Sequence, residues 1–417
     1  MRLSFLLLSI FLSVFTLRRW LFLFASLKRN PPEISSSSDL PQILLIIPLR
    51  NEEDRLPALL LHLNDLQYPQ DTFRVLFIND GSTDRTETLI QAWLLSHPNA
   101  AIFHIPTGAG KAHALNFALE HETFGELIVI FDADERPNPD VLGQLSACFS
   151  APRVGAVNGQ RSVENAQESW IASYAAFESL VHQWITMRGK DRLHLHPALL
   201  GSNCAYRRCA IVDAGGFTPG LYLEDSDITM RLARKRWQTR FITTAISHHA
   251  APATIQAFWT QHARWAAGFN EVSRLHAWEL FTDTRLSPLH RLELALFSSG
   301  YLDRVIVLLA AVLSFLGFAP KFLTRLLLFH LLTPLIQTAV ALKLSRAQRG
   351  LWPRLLLLPV FFLLDIGVAV SGVVQALRRA PGLKRGVWRT PGYNGPHEQN
   401  TALRHLGRGY RRPDRRA

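Results

Sequence analysis

Four short apolar runs in the first third of the chain each end at polar residues and are separated by helical patterns. The runs span residues 43–47, 73–78, 101–105 and 128–131. Mainly apolar runs of this length are typical of strands buried on both faces of a parallel sheet. Their alternation with helices predicts a doubly wound α/β domain, whose ligands bind at the carboxyl ends of the strands.

Three acids follow the fourth run directly: Asp132, Asp134 and Glu135. Alternate residues leaving a strand point the same way, so Asp132 and Asp134 can aim their carboxylates at one point. Hard oxygen donors in such a place suit Mg²⁺ or Mn²⁺, which takes its other ligands from water and a substrate phosphate. The alternative interpretation is a solvated acidic loop, and Glu135 is expected to be a solvated neighbour.

Polar residues also follow the other predicted strands. Asn51 and Glu52 come after the first, Asp80 after the second and Lys111 after the third. Asn51 is also a candidate cap for the helix that follows it. Lys111 could meet a phosphate as a point charge, or could be a solvated lysine at a helix start. The sequence has neither the glycine fingerprint of a dinucleotide site nor the complete P-loop pattern.

Two further acids, Glu224 and Asp225, precede a helix predicted over residues 228–235. A carboxylate in this position with a raised pKa would be a competent general base. The alternative is that both acids only cap the helix and stabilise its dipole.

A predicted amphipathic helix over residues 255–269 is rich in aromatic residues. Gln261 and Arg264 are three positions apart and therefore share a face of this helix. Trp265 follows them. The alternative, a helix that lies on a membrane surface with its tryptophan as an anchor, is compatible with a functional role.

Long apolar segments flank this central region and predict a membrane protein. We expect an anchor at 1–29, a linker at 30–40, a catalytic domain at 41–250, interfacial helices at 251–290, membrane segments at 291–380 and a basic tail at 381–417. Arginines and lysines after the first segment predict that the central domain is cytoplasmic. Residues 301–319 are the candidate for an interfacial or re-entrant segment, because Asp303 and Arg304 interrupt its start.

The formal net charge of +12 does not indicate nucleic-acid binding, because much of the basic excess lies beside apolar segments and in the tail. Attraction to anionic lipid headgroups accounts for that placement. The three cysteines form no disulfide pattern and fit a reducing compartment.

Taken together and in order, these motifs resemble those of membrane-integrated family 2 glycosyltransferases, a group that includes cellulose, chitin, hyaluronan and poly-N-acetylglucosamine synthases and several lipid glycosyltransferases. The resemblance covers about residues 40–275. The matching elements are Pro48-x-x-Asn51-Glu52, Asp80-Gly81-Ser82-Thr83-Asp84, Gly110-Lys111-Ala112-x-Ala114-Leu115-Asn116, Asp132-x-Asp134, Glu224-Asp225 and Gln261-x-x-Arg264-Trp265.

The resemblance implies a role for each matching residue. Asn51, Glu52 and Asp80 would line the uridine pocket of a UDP-sugar, while Lys111 and Arg264 would meet its diphosphate. Asp132 and Asp134 would hold Mg²⁺ or Mn²⁺, and Asp225 would deprotonate the acceptor. Glu224, Gln261 and Trp265 would contact the acceptor. The implied fold is a single GT-A-like nucleotide-sugar domain between transmembrane helices.

The implied activity is inverting transfer of a sugar from a UDP-sugar to a hydroxyl at the cytoplasmic face of the inner membrane. Two acceptor classes stay open, a growing polysaccharide and a lipid such as a diacylglycerol, polyprenyl phosphate or carotenoid. Trp388-Arg389-Thr390 resembles the gating segment of polymerising members. A non-catalytic membrane scaffold is the alternative from another class, and it predicts loss of acids that are present here.

Overall fold

A computed structural model describes residues 2–28, 40–106, 108–346 and 349–378. The strands are β1 (Ile43–Leu49), β2 (Phe73–Asn79), β3 (Ala100–His104), β4 (Leu127–Ile130), β5 (Arg136–Pro137), β6 (Val154–Val163), β7 (Cys204–Arg207) and β8 (Gln238–His249). The helices are α1 (Arg2–Ser26), α2 (Leu56–Asn64), α3 (Thr86–Leu94), α4 (Lys111–His121), α5 (Val141–Ala147), α6 (Trp170–Leu180), α7 (Arg188–Arg192), α8 (Arg208–Ala214), α9 (Glu224–Arg234), α10 (Ile255–Thr282), α11 (Pro288–Ser298), α12 (Leu302–Phe315), α13 (Lys321–Ser345) and α14 (Leu358–Arg378).

One eight-stranded sheet forms the centre of the fold, in the order β3-β2-β1-β4-β7-β6-β8-β5. The first four strands in this order are parallel. Apolar residues of β1 alternate between two buried clusters, one on each face of the sheet. The predicted α/β architecture is therefore confirmed, and helices cover both faces as the buried strands require.

The other half of the sheet is mixed, which differs from the fully parallel pattern expected of a doubly wound domain. β7 is antiparallel to both of its neighbours, whereas β6 and β8 are parallel to each other. β6 contains two glycines and several polar residues, and β8 is mostly polar and β-branched. Neither has the apolar run of a central strand, so the sequence pattern did not reveal them.

Several helix boundaries differ from the sequence predictions. α2 begins at Leu56 with Arg55 as its N-cap residue, so Asn51 does not cap it. Asn51 instead has a positive φ of 55° and bonds to the loop after β2. α9 begins at Glu224, four residues before the predicted start, and α10 continues to Thr282.

Two described helices, Leu3–Ser26 and Lys321–Ser345, are long and apolar enough to cross a membrane. Two bent pairs raise the number to as many as four if each pair is one span. In the first pair, α11 and α12 meet at 73°. α12 has 14 residues, which at about 1.5 Å per residue gives a length well under the roughly 30 Å of a hydrocarbon core.

Parts of the expected membrane organisation fall outside the described residues. These are most of the linker at 30–40, the basic tail at 381–417 and the Trp388-Arg389-Thr390 segment. The insertion of the catalytic domain between membrane-spanning helices stays a prediction.

Candidate active site

The carboxyl ends of the four parallel strands bring distant loops of the chain together. Leu49 at the end of β1 pairs with Asn79 at the end of β2, and Ile46 pairs with Ile130 at the end of β4. The Asn51 side chain accepts a hydrogen bond from the Thr83 amide at 2.7 Å. The polar residues that follow these strands therefore lie along one edge of the sheet.

Asp80 holds the loop that precedes α4. Its two carboxylate oxygens accept hydrogen bonds from the amides of Ala109 and Gly110, both at 2.8 Å. Gly110 has a φ of 90°, a conformation that glycine adopts without the strain of a side chain. The buried Asp80 carboxylate thus fixes the backbone so that Lys111 begins α4 at the edge of the sheet.

Lys111 links the acids after β4 to those of α9. Its ammonium group donates to Asp132 Oδ1 and, at 2.8 Å, to the carbonyl of Gly201. Glu224 Oε1 lies 3.9 Å away. Burial alone would lower the pKa of Lys111, but the surrounding carboxylates outweigh it and raise the pKa, so the side chain stays cationic. The side chain is partly exposed, but its ammonium group is paired with protein groups.

The Gly201–Ser202 segment contacts both groups of acids, although no role was predicted for it. Ser202 Oγ accepts a hydrogen bond from the Asp132 amide at 2.8 Å. A side chain at Gly201 would place its Cβ 3.1 Å from Asp225 Oδ2 and 3.4 Å from Lys111 Nζ. The glycine leaves room for both of these side chains, and its φ of 75° is one that residues with a side chain rarely adopt. A Gly-Ser pair just before a short strand was the available signal.

Asp225 is the most perturbed acid of this edge. Burial and repulsion from Glu224 raise its pKa to about 7, although Lys111 opposes the shift. Its Oδ1 accepts a hydrogen bond from the Ser226 amide, so the carboxylate also interacts with the first turn of α9. Capping and a chemical role are thus compatible at this residue.

Asp227, two positions on, anchors α9. It accepts hydrogen bonds from Thr218 at 2.7 Å and Arg231 at 2.8 Å, and it lies 2.8 Å from His276 of α10. Burial would raise its pKa, but Arg231 and His276 hold it at about 2. The two neighbouring aspartates therefore have opposite electrostatic environments, one suited to exchanging a proton and the other to a fixed charge.

Glu135 is fully buried, so its expected exposure to solvent was wrong. Its carboxylate accepts hydrogen bonds from Arg161 of β6 and Ser247 of β8. The side chain thereby fastens the loop with Asp132 and Asp134 to the mixed half of the sheet. Sequence reasoning missed this role because β6 and β8 were not recognised as strands.

Replacing Glu135 with alanine is expected to lower the free energy of unfolding by about 3–5 kcal/mol, because it leaves the Arg161 charge without its partner. The measurement is the apparent melting temperature of the purified protein in detergent. Glu164→Ala is the matched control, since it removes a partly exposed ion pair with Arg136 that contributes about 0–1 kcal/mol. Equal melting temperatures for the two variants would contradict the anchoring role.

Gln261 and Trp265 lie on the side of α10 that faces the catalytic domain. Gln261 lines a cavity of about 340 Å³ together with Asp134, Arg55 and Arg136. Trp265 is partly buried and packs against the cluster that contains Leu223, the residue before Glu224. Arg264 is exposed. The structure thus places Gln261 beside Asp134 and Trp265 against the apolar cluster that includes the residue before α9.

Glu52 and Arg50 complete the edge next to β1. Glu52 is ion-paired with Arg55 at 3.1 Å, and burial raises the pKa of its carboxyl group. The guanidinium of Arg50 lies where a side chain on Gly108 would be, over the loop before α4. Arg50 had no predicted role, and its position directly after β1 was the only sequence signal.

The acids could hold a divalent cation only with help from a substrate. No group of three or more histidine, cysteine or acidic side chains suited to a metal occurs within the described ranges. Asp132 and Asp134 carry oxygen donors, and Asp132 is also ion-paired with Lys111. Two carboxylates completed by phosphate oxygens and water are a usual arrangement for Mg²⁺ and Mn²⁺.

The mixed α/β sheet, with acids and a lysine at the carboxyl edge of its parallel strands, has the architecture of a GT-A type of nucleotide-sugar domain. A family model described as glycosyl transferase family group 2 matches residues 127–368, more than half of the chain. The chain belongs to this family of glycosyltransferases, as its motifs predicted.

Relatives found by sequence match about two thirds of this chain or less, whereas a solved structure matches most of it. A probable glycosyltransferase of Bacillus subtilis (strain 168) is 28% identical, with 59% of each chain covered. A beta-monoglucosyldiacylglycerol synthase of Nostoc sp. (strain PCC 7120) is 28% identical over 66% of this chain and 58% of its own length. The chain thus spans less than two thirds of these relatives.

Among solved structures, the fold is similar to that of a mannosyltransferase from Pyrobaculum calidifontis in complex with GDP-Man and Mn²⁺. The TM-score is 0.61 at 20% identity, and the match covers 89% of this chain and 98% of the other. At this identity the likeness establishes the shared fold.

Proposed function

We propose that the protein is a metal-dependent inverting glycosyltransferase that moves a sugar from a nucleotide diphosphate sugar, a UDP-sugar by its motifs, to an acceptor hydroxyl at a membrane surface. The observation that carries the proposal is the arrangement around Lys111. Its ammonium contacts Asp132 and the Gly201 carbonyl and has Glu224 within 3.9 Å, and Asp225 also lies next to Gly201. The Lys111 ammonium group thus lies close to two sets of acids. Asp132 and Asp134 are suited to holding a metal, and Glu224 and Asp225 are suited to proton transfer.

The donor would bind along the carboxyl edge of the parallel strands. Asn51, Glu52 and Asp80 lie beside the nucleoside end of that edge in this proposal, and Lys111 and Arg264 neutralise the diphosphate. A Mg²⁺ or Mn²⁺ held by Asp132 and Asp134 would supply further charge stabilisation to the departing diphosphate. The named complex of the Pyrobaculum protein with GDP-Man and Mn²⁺ supports this choice of ligands.

Asp225 would accept the proton of the attacking hydroxyl. Because its pKa is near neutral, the carboxylate is populated at physiological pH and is still basic enough to be effective. Direct attack by the acceptor opposite the leaving diphosphate inverts the anomeric centre and needs no protein nucleophile. In this proposal Glu224, Gln261 and Trp265 contact the acceptor, and the cavity that Gln261 lines beside Asp134 would hold part of it.

Two acceptor classes fit this site, a growing polysaccharide and a membrane lipid such as a diacylglycerol, polyprenyl phosphate or carotenoid. The name of the Nostoc relative supports a lipid, whereas the Gln-x-x-Arg-Trp motif supports a polymer. The candidate spans support a multi-pass protein of the inner membrane with its catalytic domain on the cytoplasmic side. In this proposal the protein is always in contact with membrane lipids, and nucleic acid is not among its ligands.

The pH dependence of kcat/KM for the donor tests the assignment of the base. Since the Asp225 carboxylate must be deprotonated to act, kcat/KM is expected to rise with pH and to level off above about 7. Stopped-time assays of nucleotide release between pH 5 and 9 measure this. A rate that is flat from pH 5 to 8 would exclude Asp225 as the titrating base.

A panel of donors and acceptors tests the function as a whole. The purified full-length protein, with Mg²⁺ or Mn²⁺, is incubated with radiolabelled UDP-glucose, UDP-galactose, UDP-N-acetylglucosamine or GDP-mannose. One acceptor arm uses dioleoylglycerol in phosphatidylglycerol vesicles and the other a short oligosaccharide of the donor sugar. Transfer in either arm supports the proposal and selects the acceptor class, whereas no nucleotide release with any donor would count against it.

A further inference from the structure

An ion pair between a buried histidine and a partly exposed glutamate lies beside the acceptor face of α10. Ala257 and Gln261, four positions apart on this helix, both line the cavity next to Asp134. The neighbouring strip of the helix, Phe258, His262 and Ala266, is buried in the cluster that joins α10 to α6 and α14. A histidine on an otherwise apolar strip needs partners for both ring nitrogens.

Both partners are present. His262 Nδ1 lies 2.9 Å from the Phe258 carbonyl, and Nε2 lies 3.0 Å from Glu178 Oε2 of α6. A carbonyl and a carboxylate are both acceptors, so the imidazolium form can donate one hydrogen bond to each. Burial opposes this charge, but Glu178 outweighs it and raises the pKa of His262.

The ring of His262 also fixes aromatic neighbours. It stacks on Phe258 with centroids 3.7 Å apart, and it lies 4.7 Å from the Trp265 ring at 56°. The ion pair with Glu178 therefore sets the rotation of α10 about its axis at a point between Gln261 and Trp265. Rotation of this helix would move both residues relative to Asp134 and Leu223.

Further charged and titratable groups surround the pair. Asp365 of α14 contributes to the attraction of the imidazolium and is hydrogen-bonded to Tyr174 of α6. Arg304 of α12 lies 3.6 Å from Asp365. The pair is thus faced by one further carboxylate, that of Asp365, which has Arg304 beside it.

We propose that His262, held as an imidazolium by Glu178, is a positioning residue that orients Gln261 and Trp265 for the acceptor. The inference rests on the proposed function. It requires no contact of His262 with the donor or the metal. Loss of the pair is therefore expected to impair use of the acceptor and to leave acceptor-free hydrolysis of the donor intact.

The test compares His262→Gln, Glu178→Gln and the double variant in the full-length protein. Each single change is expected to lower kcat/KM for the dioleoylglycerol or oligosaccharide probe about tenfold, as a small misplacement does. The double variant is expected to lose no more than either single one, since both remove the same interaction. Donor hydrolysis without acceptor should stay within about twofold of wild type. Thr260→Ala, an exposed change on the same helix, is the control.

The pH profile separates positioning from general stabilisation. The imidazolium is lost as pH rises through the His262 pKa, so kcat/KM for the acceptor should fall on the alkaline side. The alkaline fall in kcat/KM should be absent in His262→Arg, because the arginine charge does not titrate in this range. In Glu178→Gln the fall should occur at lower pH. Melting temperatures identify a variant that fails to fold, and Glu178→Gln then tests the pair from the other helix.

The outcomes distinguish a failure of the His262 positioning role from a failure of the proposed glycosyltransferase function. If the wild-type protein transfers sugar and the variants use the acceptor as well as wild type does, the positioning role alone is overturned. The same holds if the variants lose donor hydrolysis and transfer to the same extent. Losses that multiply in the double variant also overturn it. An absence of transfer in the wild-type protein with both probes overturns the proposed function and the positioning role with it.

Discussion

The Asp225→Asn variant is expected to transfer sugar about 10³-fold more slowly than the wild-type protein, because it loses the proposed general base. Asparagine has the same shape as aspartate but cannot take the proton of the acceptor. Binding of the nucleotide is expected to be unchanged, since in the proposal Lys111, Arg264 and the metal hold the diphosphate. Steady-state rates and calorimetric titration of UDP measure the two quantities on the same preparation.

Stability provides a second readout for this variant. The pKa of Asp225 is raised in the folded protein, so its buried charge costs stability as pH rises from the unfolded value of about 4 to the folded value of about 7. At pH 8, Asp225→Asn should therefore melt no lower than wild type. Asp227→Asn is the matched control and should melt lower, because Asp227 is paired with Arg231 and His276. Transfer within about tenfold of wild type in Asp225→Asn would move the base to another residue.

Replacing Asp134 with alanine is expected to lower metal-dependent transfer by about 10²–10³-fold, the effect of losing one strong electrostatic contact to the leaving group. Asp134 is preferred to Asp132 for this test, because removal of Asp132 would also deprive Lys111 of its ion pair. Removing divalent cations with a chelator should reduce the wild-type rate in the same way, and Mn²⁺ should restore it.

Metal binding itself can be measured without turnover. The electron paramagnetic resonance signal of Mn²⁺, titrated in the presence of UDP, should show a bound ion in wild type and a weaker site in Asp134→Ala. Asp140→Ala is the control, since Asp140 is an exposed acid six residues farther along the same segment. Equal Mn²⁺ affinity in Asp134→Ala and wild type would contradict the metal role of this carboxylate.

The position of Lys111 explains why its two acid pairs can coexist. Asp132, Glu224 and Asp225 would repel one another strongly if all were ionised without a cation among them. The ammonium group of Lys111 stabilises Asp132 and partly offsets the burial of Asp225. This arrangement leaves Asp225 with a near-neutral pKa, whereas Asp227, which has its own cationic partners, is held ionised.

The parallel half of the fold and the edge at which its polar residues meet were predictable from the sequence. Buried parallel strands require apolar residues on both faces, so β1, β2 and β4 were readable as short apolar runs. The carboxyl ends of such strands always meet at one edge, which brought Asn51, Asp80, Lys111 and Asp132 together without any knowledge of side-chain contacts.

The mixed half of the sheet and the roles that depend on it were not predictable in the same way. β6 and β8 carry glycine and polar residues, and their pairing is set by contacts with strands far away in the chain. The sequence pattern therefore predicted that Glu135 is exposed, whereas in the structure Arg161 and Ser247 donate hydrogen bonds to its buried carboxylate.

Short-range patterns encode strands and motifs, so the residues alone were sufficient to predict the family, the α/β class and the residue types available for metal and proton chemistry. The electrostatic role of each acid depends instead on contacts that form when the chain folds. Asp225 and Asp227 are two positions apart in one helix, yet one has a raised pKa and the other a lowered one. That difference comes from burial and from partners such as Glu224, Lys111 and His276, which folding brings into contact.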